Sequence, residues 1–224
     1  MLLYLVNFIV ITTSILLFIL PFFVWYWLGH REKLSLSSFN FYVENFFSSR
    51  QANWLIFAWA AGEAVVWFVI PEFLLLLIVF MRIRKKRLML LYDVAGTVFG
   101  TIVALLMRLP EHAISSLPYI QDRMVSQTKT WYNEMGIMGL VNQPFSGVPY
   151  KVFTHLAWQY KYHLLAFLVV AVAVRIVRYL IAYGLFLSLY PRLHHVVRRN
   201  YVPLFFIAIF IFSILLLKTY NAYS

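Results

Sequence analysis

The sequence contains no cysteine and few acidic residues. Without Cys, disulfide bonds, Cys-ligated metals and thiol catalysis are excluded. Asp and Glu together number 8 against 19 Lys and Arg, and charged residues make up only 12% of the 224. Soluble domains carry about 25% charged residues. A chain this poor in charge cannot cover a surface of this size with polar side chains, which argues against a water-soluble fold.

Apolar residues take the place of the missing charges. They make up 63% of the chain, and the mean hydropathy is +0.79, whereas soluble domains are about 45–50% apolar. The 15 Tyr and 7 Trp suit a chain that crosses membrane interfaces repeatedly. We therefore predict an all-α integral membrane protein, with several passes through the plasma or inner membrane of the cell.

The net charge of +11 comes mostly from short clusters of Lys and Arg between the apolar runs. Clusters in that position attract anionic lipid headgroups. We therefore expect membrane lipids as partners and no nucleic acid.

Two different segments are predicted at the beginning of the chain. Residues 1–29 form an apolar run, which we interpret as a retained transmembrane helix because it lacks a basic start and a small-residue cleavage site. Residues 30–52 are more polar, with Phe39, Val43 and Phe46 at helical spacing. This spacing favours an amphipathic helix in the membrane interface over a plain loop.

The next apolar run, residues 53–81, is too long for one ordinary crossing. As a continuous helix it would measure about 43 Å against a hydrocarbon core of about 30 Å. It also contains Gly62-Glu63 and Pro71-Glu72, and proline disfavours helix in the residue before it. Two half-helices that enter and leave on one side explain both features, so we predict a re-entrant hairpin. The alternative is one long, kinked helix.

The rest of the chain alternates apolar and polar segments. The second interrupted run, residues 136–158, is broken by Pro144, Gly147 and Pro149 and is predicted to be another re-entrant hairpin. The remaining predicted segments are a span at 88–107, a loop at 108–135, a span at 163–190, and a basic loop with a C-terminal transmembrane helix over 191–224.

The distribution of basic residues tests this arrangement. If both interrupted runs are re-entrant, the segments 29–52, 82–87 and 191–200 lie on one side with eleven of the 19 Lys and Arg, and five lie on the other. Because basic loops stay in the cytoplasm, the eleven mark the cytoplasmic side. Both chain ends are then predicted to lie outside the cytoplasm.

Six ionisable side chains fall inside the predicted apolar segments. Each charge at mid-membrane costs about 2.5–3.5 kcal/mol, so pairing, water or protonation must offset most of the total. Arg175 and Arg178 lie on one helical face at i and i+3, and two adjacent guanidiniums favour a bound anion such as phosphate. Structural salt bridges to Glu63 and Glu72 are the alternative. The six are Glu63, Glu72, Asp93, Lys151, Arg175 and Arg178.

Other patterns are less informative. Gly96-x-x-x-Gly100 suits close helix packing. His155 and the pair His194-His195 have no metal-ligating neighbours at a recognisable spacing, and no hydrolase, metalloprotease or phosphate-loop motif is present. We therefore expect no metal, no cofactor and no enzymatic activity.

Several of these features together resemble a known family. Gly62-Glu63, Pro71-Glu72, the following basic patch and Gly96-x-x-x-Gly100 are similar to the first half of the DedA, or SNARE-associated Golgi (VTT-domain), family. The string from Gly147 to Phe153 resembles the second hairpin of its short, YqaA-like branch. Arg175 and Arg178 stand where the family has paired arginines. The likeness covers about residues 55 to 190.

The resemblance implies two re-entrant helical hairpins of opposite orientation plus about four transmembrane helices, a plan typical of transporters. It also implies a flippase or scramblase for a phospholipid or polyprenyl phosphate, with proton coupling. Tyr150, Lys151, Arg175 and Arg178 would then bind substrate, and Glu63, Glu72 and Asp93 would exchange protons. A small-ion or proton-coupled transporter and a non-transporting scaffold are the alternatives, and a homo-oligomer is left open.

Overall fold

A computed structural model of the chain describes residues 49–67 and 86–199, together with isolated helical positions between residues 211 and 222. Its regular elements in these ranges are all helical. The predicted N-terminal helix, nearly all of the interfacial segment, the second half of the first hairpin with Glu72, and most of the C-terminal helix lie outside the described residues.

The first described helix, α1, spans Arg50–Val65. It begins because the Ser49 hydroxyl accepts a hydrogen bond from the Ala52 N–H at 3.3 Å. At its other end the N–H groups of Val66 and Trp67 both donate to the Gly62 carbonyl. The helix therefore ends before Pro71 is reached, and the predicted interruption of this run is present.

The second helix, α2, spans Lys86–Met107 and packs along α1. Gly96 and Gly100 face the α1 backbone so closely that added Cβ atoms would lie 2.9 Å from the carbonyl carbon of Phe57 and 2.7 Å from the Cα of Ala61. The predicted close packing through Gly96-x-x-x-Gly100 is confirmed, because only hydrogen fits between the two backbones.

The segment 108–135 is more ordered than the predicted loop. It contains a short helix α3, Glu111–Ser115, and a helix α4, Asp122–Met135. Helix α4 buries one apolar stripe, which includes Met124, Val125 and Tyr132, and exposes its charged face. The high polarity of the segment hid this amphipathic pattern from the sequence analysis.

The second interrupted run is broken at Gly147 and Pro149, as the sequence predicted, whereas Pro144 lies in the first turn of a helix and does not break the run. A 3₁₀ helix, Gly136–Asn142, leads into a single-turn helix α5, Gln143–Ser146, and helix α6 follows at Tyr150–Ala157. Gly147 makes the turn between them with a φ of 75°, which is left-handed and suits glycine. Pro149 precedes α6 in extended conformation. At about 1.5 Å per residue, α6 is too short to cross a membrane.

The long helix α7 spans Leu164–Arg199 after a 3₁₀ turn at Trp158–Tyr160. The sequence predicted that this span would stop at residue 190 and give way to a basic loop. The helix instead continues through Pro191. A proline loses one backbone hydrogen bond and bends a helix without always ending it.

The core lies around α6, which packs against α1, α2 and α4 and has all eight of its residues buried. Three tyrosines pack at the edge of this core. The hydroxyl of Tyr132 donates to the Phe153 carbonyl at 2.9 Å, and the rings of Tyr160 and Tyr162 lie 5.2 and 5.4 Å from that of Tyr132. This cluster fixes α4 to α6 and to the beginning of α7.

Within the described part of the chain, two helical stretches are long and apolar enough to cross a membrane, Arg87–Met107 and Leu164–Val196. Their outer surfaces are apolar. Leu106 is 70% exposed and Val169 is 68% exposed, and α7 presents a long row of similar side chains. The structure thus shows an all-α fold with two long apolar helices.

Candidate functional site

The C-terminal end of α1 lies inside the protein, where its last carbonyl groups need partners. A helix leaves its final carbonyls without intrahelical donors, and in an apolar interior each must find another donor. Three side chains of α6 supply them: Thr154 Oγ1 lies 2.8 Å from the Ala64 carbonyl, His155 Nε2 2.8 Å from that of Val65, and Lys151 Nζ 2.8 Å from that of Val66.

Through these contacts Lys151 stabilises the C-terminal end of α1. Its ammonium is fully buried and also donates to the Pro118 carbonyl at 2.6 Å. A positive charge at a helix C-terminus is favoured by the helix dipole. The role of Lys151 in substrate binding stays a prediction.

Glu63 and Arg175 form a salt bridge in the interior. Glu63 lies two residues before the end of α1, Arg175 is the twelfth residue of α7, and Nη2 of the arginine donates to Oε2 of the carboxylate. Their side chains are only 5% and 3% exposed. The sequence analysis named salt bridges from the arginines to Glu63 and Glu72 as the alternative to a bound anion, and the structure shows the one between Arg175 and Glu63.

Two tyrosines flank the Arg175 guanidinium. Its central carbon lies 4.8 Å from the ring centroid of Tyr150, which is within the range of a cation–π contact. Nη2 also donates to the Tyr179 hydroxyl at 3.0 Å. The Tyr150 hydroxyl in turn lies 2.9 Å from Oγ1 of Thr101 in α2, so the network that starts at Glu63 joins four helices.

Asp93 adds a second carboxylate to this group. It is buried in α2 and interacts electrostatically with both Arg175 and Tyr179. Glu63 also interacts with the Lys151 ammonium. Two acids and two bases therefore share the interior, and their formal charges cancel. We call Glu63, Asp93, Lys151 and Arg175 the buried charge cluster.

The two arginines make hydrogen bonds to different residues of the described part of the chain. Arg175 reaches Glu63, whereas Nη1 of Arg178 approaches Oε1 of Gln143 at 3.5 Å. Arg178 is only partly buried. Nε and Nη1 of Arg175 have no hydrogen-bond acceptor among the described residues. The pair therefore combines one arginine held in the interior with one nearer the surface.

Sequence reasoning missed several members of the site: Thr101, Gln143, Thr154, His155 and Tyr179. Tyr179 stood four residues after Arg175, which places it on the same helical face and could have identified it. His155 and Thr154 share the Lys151 side of α6 in the same way. His155 had been assigned no site, and its ring contacts a carbonyl. No cluster of three metal-ligating side chains occurs in the described ranges.

Comparisons of this chain with family models, with curated proteins and with solved structures find no match.

Proposed function

We propose that this protein is a multi-pass membrane transporter, a flippase or scramblase, for a lipid with a phosphate headgroup. Its substrate would be a phospholipid or a polyprenyl phosphate. The observation that carries the proposal is the buried charge cluster, in which four ionisable side chains meet between apolar helices.

The outer surface of the helices supports a lipid environment. On α7, Leu165 is 65% exposed, Leu180 63% and Leu185 58%. Soluble proteins rarely expose continuous apolar surface of this kind. Lipid chains would cover it, which agrees with the apolar composition of the whole chain and with placement in the plasma or inner membrane.

The salt bridge supports a functional role for the cluster. Removing two charges from water costs several kcal/mol for each ion, and a well-packed apolar pair is often as stable or more stable. Ionisable groups buried among membrane helices usually mark substrate or proton pathways. A chain with only 8 acids nevertheless brings two of them, Glu63 and Asp93, to one buried arginine.

The geometry suggests how protons and lipid would be coupled. While Glu63 is ionised, its carboxylate occupies Arg175. A proton taken up by that carboxylate weakens the contact, and the guanidinium can then bind a lipid phosphate through two of its N–H groups. Arg178, partly exposed three residues later, would meet the headgroup first. Release of the proton restores the salt bridge and expels the phosphate.

The test is lipid movement in vesicles that contain the full chain. Labelled phosphatidylethanolamine and undecaprenyl phosphate serve as substrates. Arg178→Gln should slow transport about tenfold or more, because a charge-assisted contact to phosphate contributes about 1.5–3 kcal/mol. Arg123→Gln, at an exposed site in α4, is the matched control and should retain the rate. Unchanged transport after both Arg175→Ala and Arg178→Ala would refute the proposal.

A non-transporting scaffold is the second candidate, and the contacts of Lys151, Thr154 and His155 with the end of α1 favour it for those three residues. Glu63→Gln separates the two functions. A transporter should lose lipid movement while it remains folded, whereas a scaffold should lose assembly. Current or pH change without lipid movement would instead indicate a small-ion transporter.

A further inference from the structure

The structure also contains a cavity that shares no residue with the buried charge cluster. This cavity, of about 400 Å³, opens between the end of α2 and the beginning of α7. Its floor is apolar, with Leu105 and Phe167, and its rim carries Arg108 and Lys161. The apolar lining can contact a hydrocarbon chain, and the two basic side chains can bind a negatively charged group.

The two cations of the rim are exposed and lie at turns that follow helix ends. Arg108 directly follows α2 with a φ of 47°, and Lys161 follows the 3₁₀ turn with a φ of 50°. Each of these residues follows the end of a helix, a position where the left-handed conformation is common. Within residues 49–67 and 86–199, neither cation takes part in a salt bridge.

The position of the rim matches a membrane interface. Arg108 follows one of the two long apolar helices, and Lys161 lies shortly before the other. Trp158 and Tyr162 also line the cavity. Aromatic rings at the ends of apolar helices are typical of the headgroup level, where basic side chains attract anionic lipids.

We propose that this cavity binds the phosphate of an anionic lipid between Arg108 and Lys161. The proposal rests on the membrane placement argued above and does not require transport. A phosphate group alone could also come from solution. The apolar floor and the neighbouring exposed side chains, with Leu106 at 70% and Leu165 at 65%, favour a lipid, because acyl chains would cover them.

The experiment measures lipid binding to the full chain in vesicles. Brominated phosphatidylglycerol or brominated phosphatidylcholine is titrated into phosphatidylcholine vesicles, and quenching of tryptophan fluorescence is recorded. We expect the wild type to prefer the anionic lipid. Arg108→Asn and Lys161→Asn together remove both charges, while Asn tolerates the left-handed backbone. The preference is the ratio of the affinities for brominated phosphatidylglycerol and brominated phosphatidylcholine. This ratio should fall about fivefold for one substitution and about 25-fold for both.

The controls separate the explanations. Arg123→Gln removes one exposed charge elsewhere and should keep the preference, and Trp158→Phe should remove most of the quenching that is specific to the anionic lipid. The combined exchange Arg108→Lys and Lys161→Arg keeps both charges and should keep the preference. An unchanged preference in the double Asn variant would overturn the site. Quenching of the wild type by brominated phosphatidylglycerol that is no stronger than quenching by brominated phosphatidylcholine would overturn the lipid assignment.

Failure of this site and failure of the proposed function are distinguishable. Binding is read from quenching and transport from movement of labelled lipid. A chain that moves lipid but shows no anionic preference would contradict only the cavity proposal.

Discussion

Lys151 in α6 donates a hydrogen bond of 2.8 Å to the carbonyl of Val66, 85 positions earlier in the chain. The contact joins the two interrupted apolar runs of the sequence. It supplies a donor to the end of α1, which has no further helical N–H groups to satisfy it. The short helix α6 therefore serves as a cap for a helix from the other half of the chain.

Replacing this lysine should destabilise the fold. Lys151→Met keeps most of the side-chain volume but leaves the Val66 and Pro118 carbonyls without their donor. We expect a loss of about 1–3 kcal/mol in the free energy of unfolding, because unpaired buried polar groups carry that penalty. Thermal unfolding in detergent measures it. Lys129→Met, which removes an exposed salt bridge to Glu111, should cost less than about 1 kcal/mol. Equal effects of the two variants would contradict the capping role.

The close packing of α1 and α2 predicts a sharp response to one methyl group. Gly100→Ala would place a Cβ 2.7 Å from the Cα of Ala61, so the helices must separate. We expect destabilisation of about 1–3 kcal/mol. Gly184→Ala, in α7 where a Cβ meets no atom within 4 Å, should be neutral or stabilising, because alanine favours helix. A neutral Gly100→Ala variant would show that the two backbones are not in contact.

The salt bridge between Glu63 and Arg175 should behave as a buried pair. Arg175→Met alone leaves a buried carboxylate unpaired and should cost about 3–5 kcal/mol. The double variant Glu63→Leu with Arg175→Met should recover most of that loss. A double-mutant cycle from unfolding in detergent measures the coupling. Simple addition of the two single effects would show that the residues do not interact.

The same double variant also tests the function. If the pair is the coupling element of a transporter, the refolded double variant should remain inactive in lipid movement. If the pair serves only the fold, lipid movement in the double variant should be restored together with stability.

The tyrosine cluster predicts how stability depends on alkaline pH. Burial raises the pKa of Tyr162 from the ordinary 10.0 to about 12, and burial also raises the pKa of Tyr132. Because the folded state holds the proton more tightly, this contribution is fully present below about pH 10 and is lost as the pH rises towards 12. The tyrosinate absorbance that is lost in Tyr162→Phe should therefore appear only above about pH 10. The same substitution should reduce the loss of stability between about pH 10 and pH 12. A cluster that titrates near pH 10 while folded would contradict the prediction.

Part of the fold follows from local pattern. Gly96-x-x-x-Gly100 predicted a close helix pair, and Gly147 with Pro149 predicted the break before α6. These features depend on residues within one or two turns of each other, and their steric meaning does not change with context. Helix α4 and the continuation of α7 through Pro191 were missed. Helix α4 is stabilised by the packing of its apolar stripe against the core, which outweighs the high polarity of its sequence. Helix α7 is stabilised by the many residues on either side of Pro191, which outweigh the helix-breaking tendency of that proline.

The candidate site divides in the same way. The sequence pattern placed six ionisable side chains inside apolar runs, among them Glu63, Asp93, Lys151 and Arg175, and so identified them as energetically costly charges. It did not say which of them pair, because the partners lie up to 112 positions apart. The i and i+3 spacing placed Arg175 and Arg178 on one face, yet their guanidiniums contact different helices.

The sequence by itself determined the helical, apolar character of this protein and the shortage of charge that makes each buried ionisable group significant. These properties are sums over residues and need no coordinates. Only the tertiary structure decided that Arg175 pairs with Glu63, that Lys151 binds the end of α1, and that Arg108 and Lys161 border one cavity. Electrostatic energy and hydrogen bonding depend on distances between atoms, and folding alone brings these distant residues together.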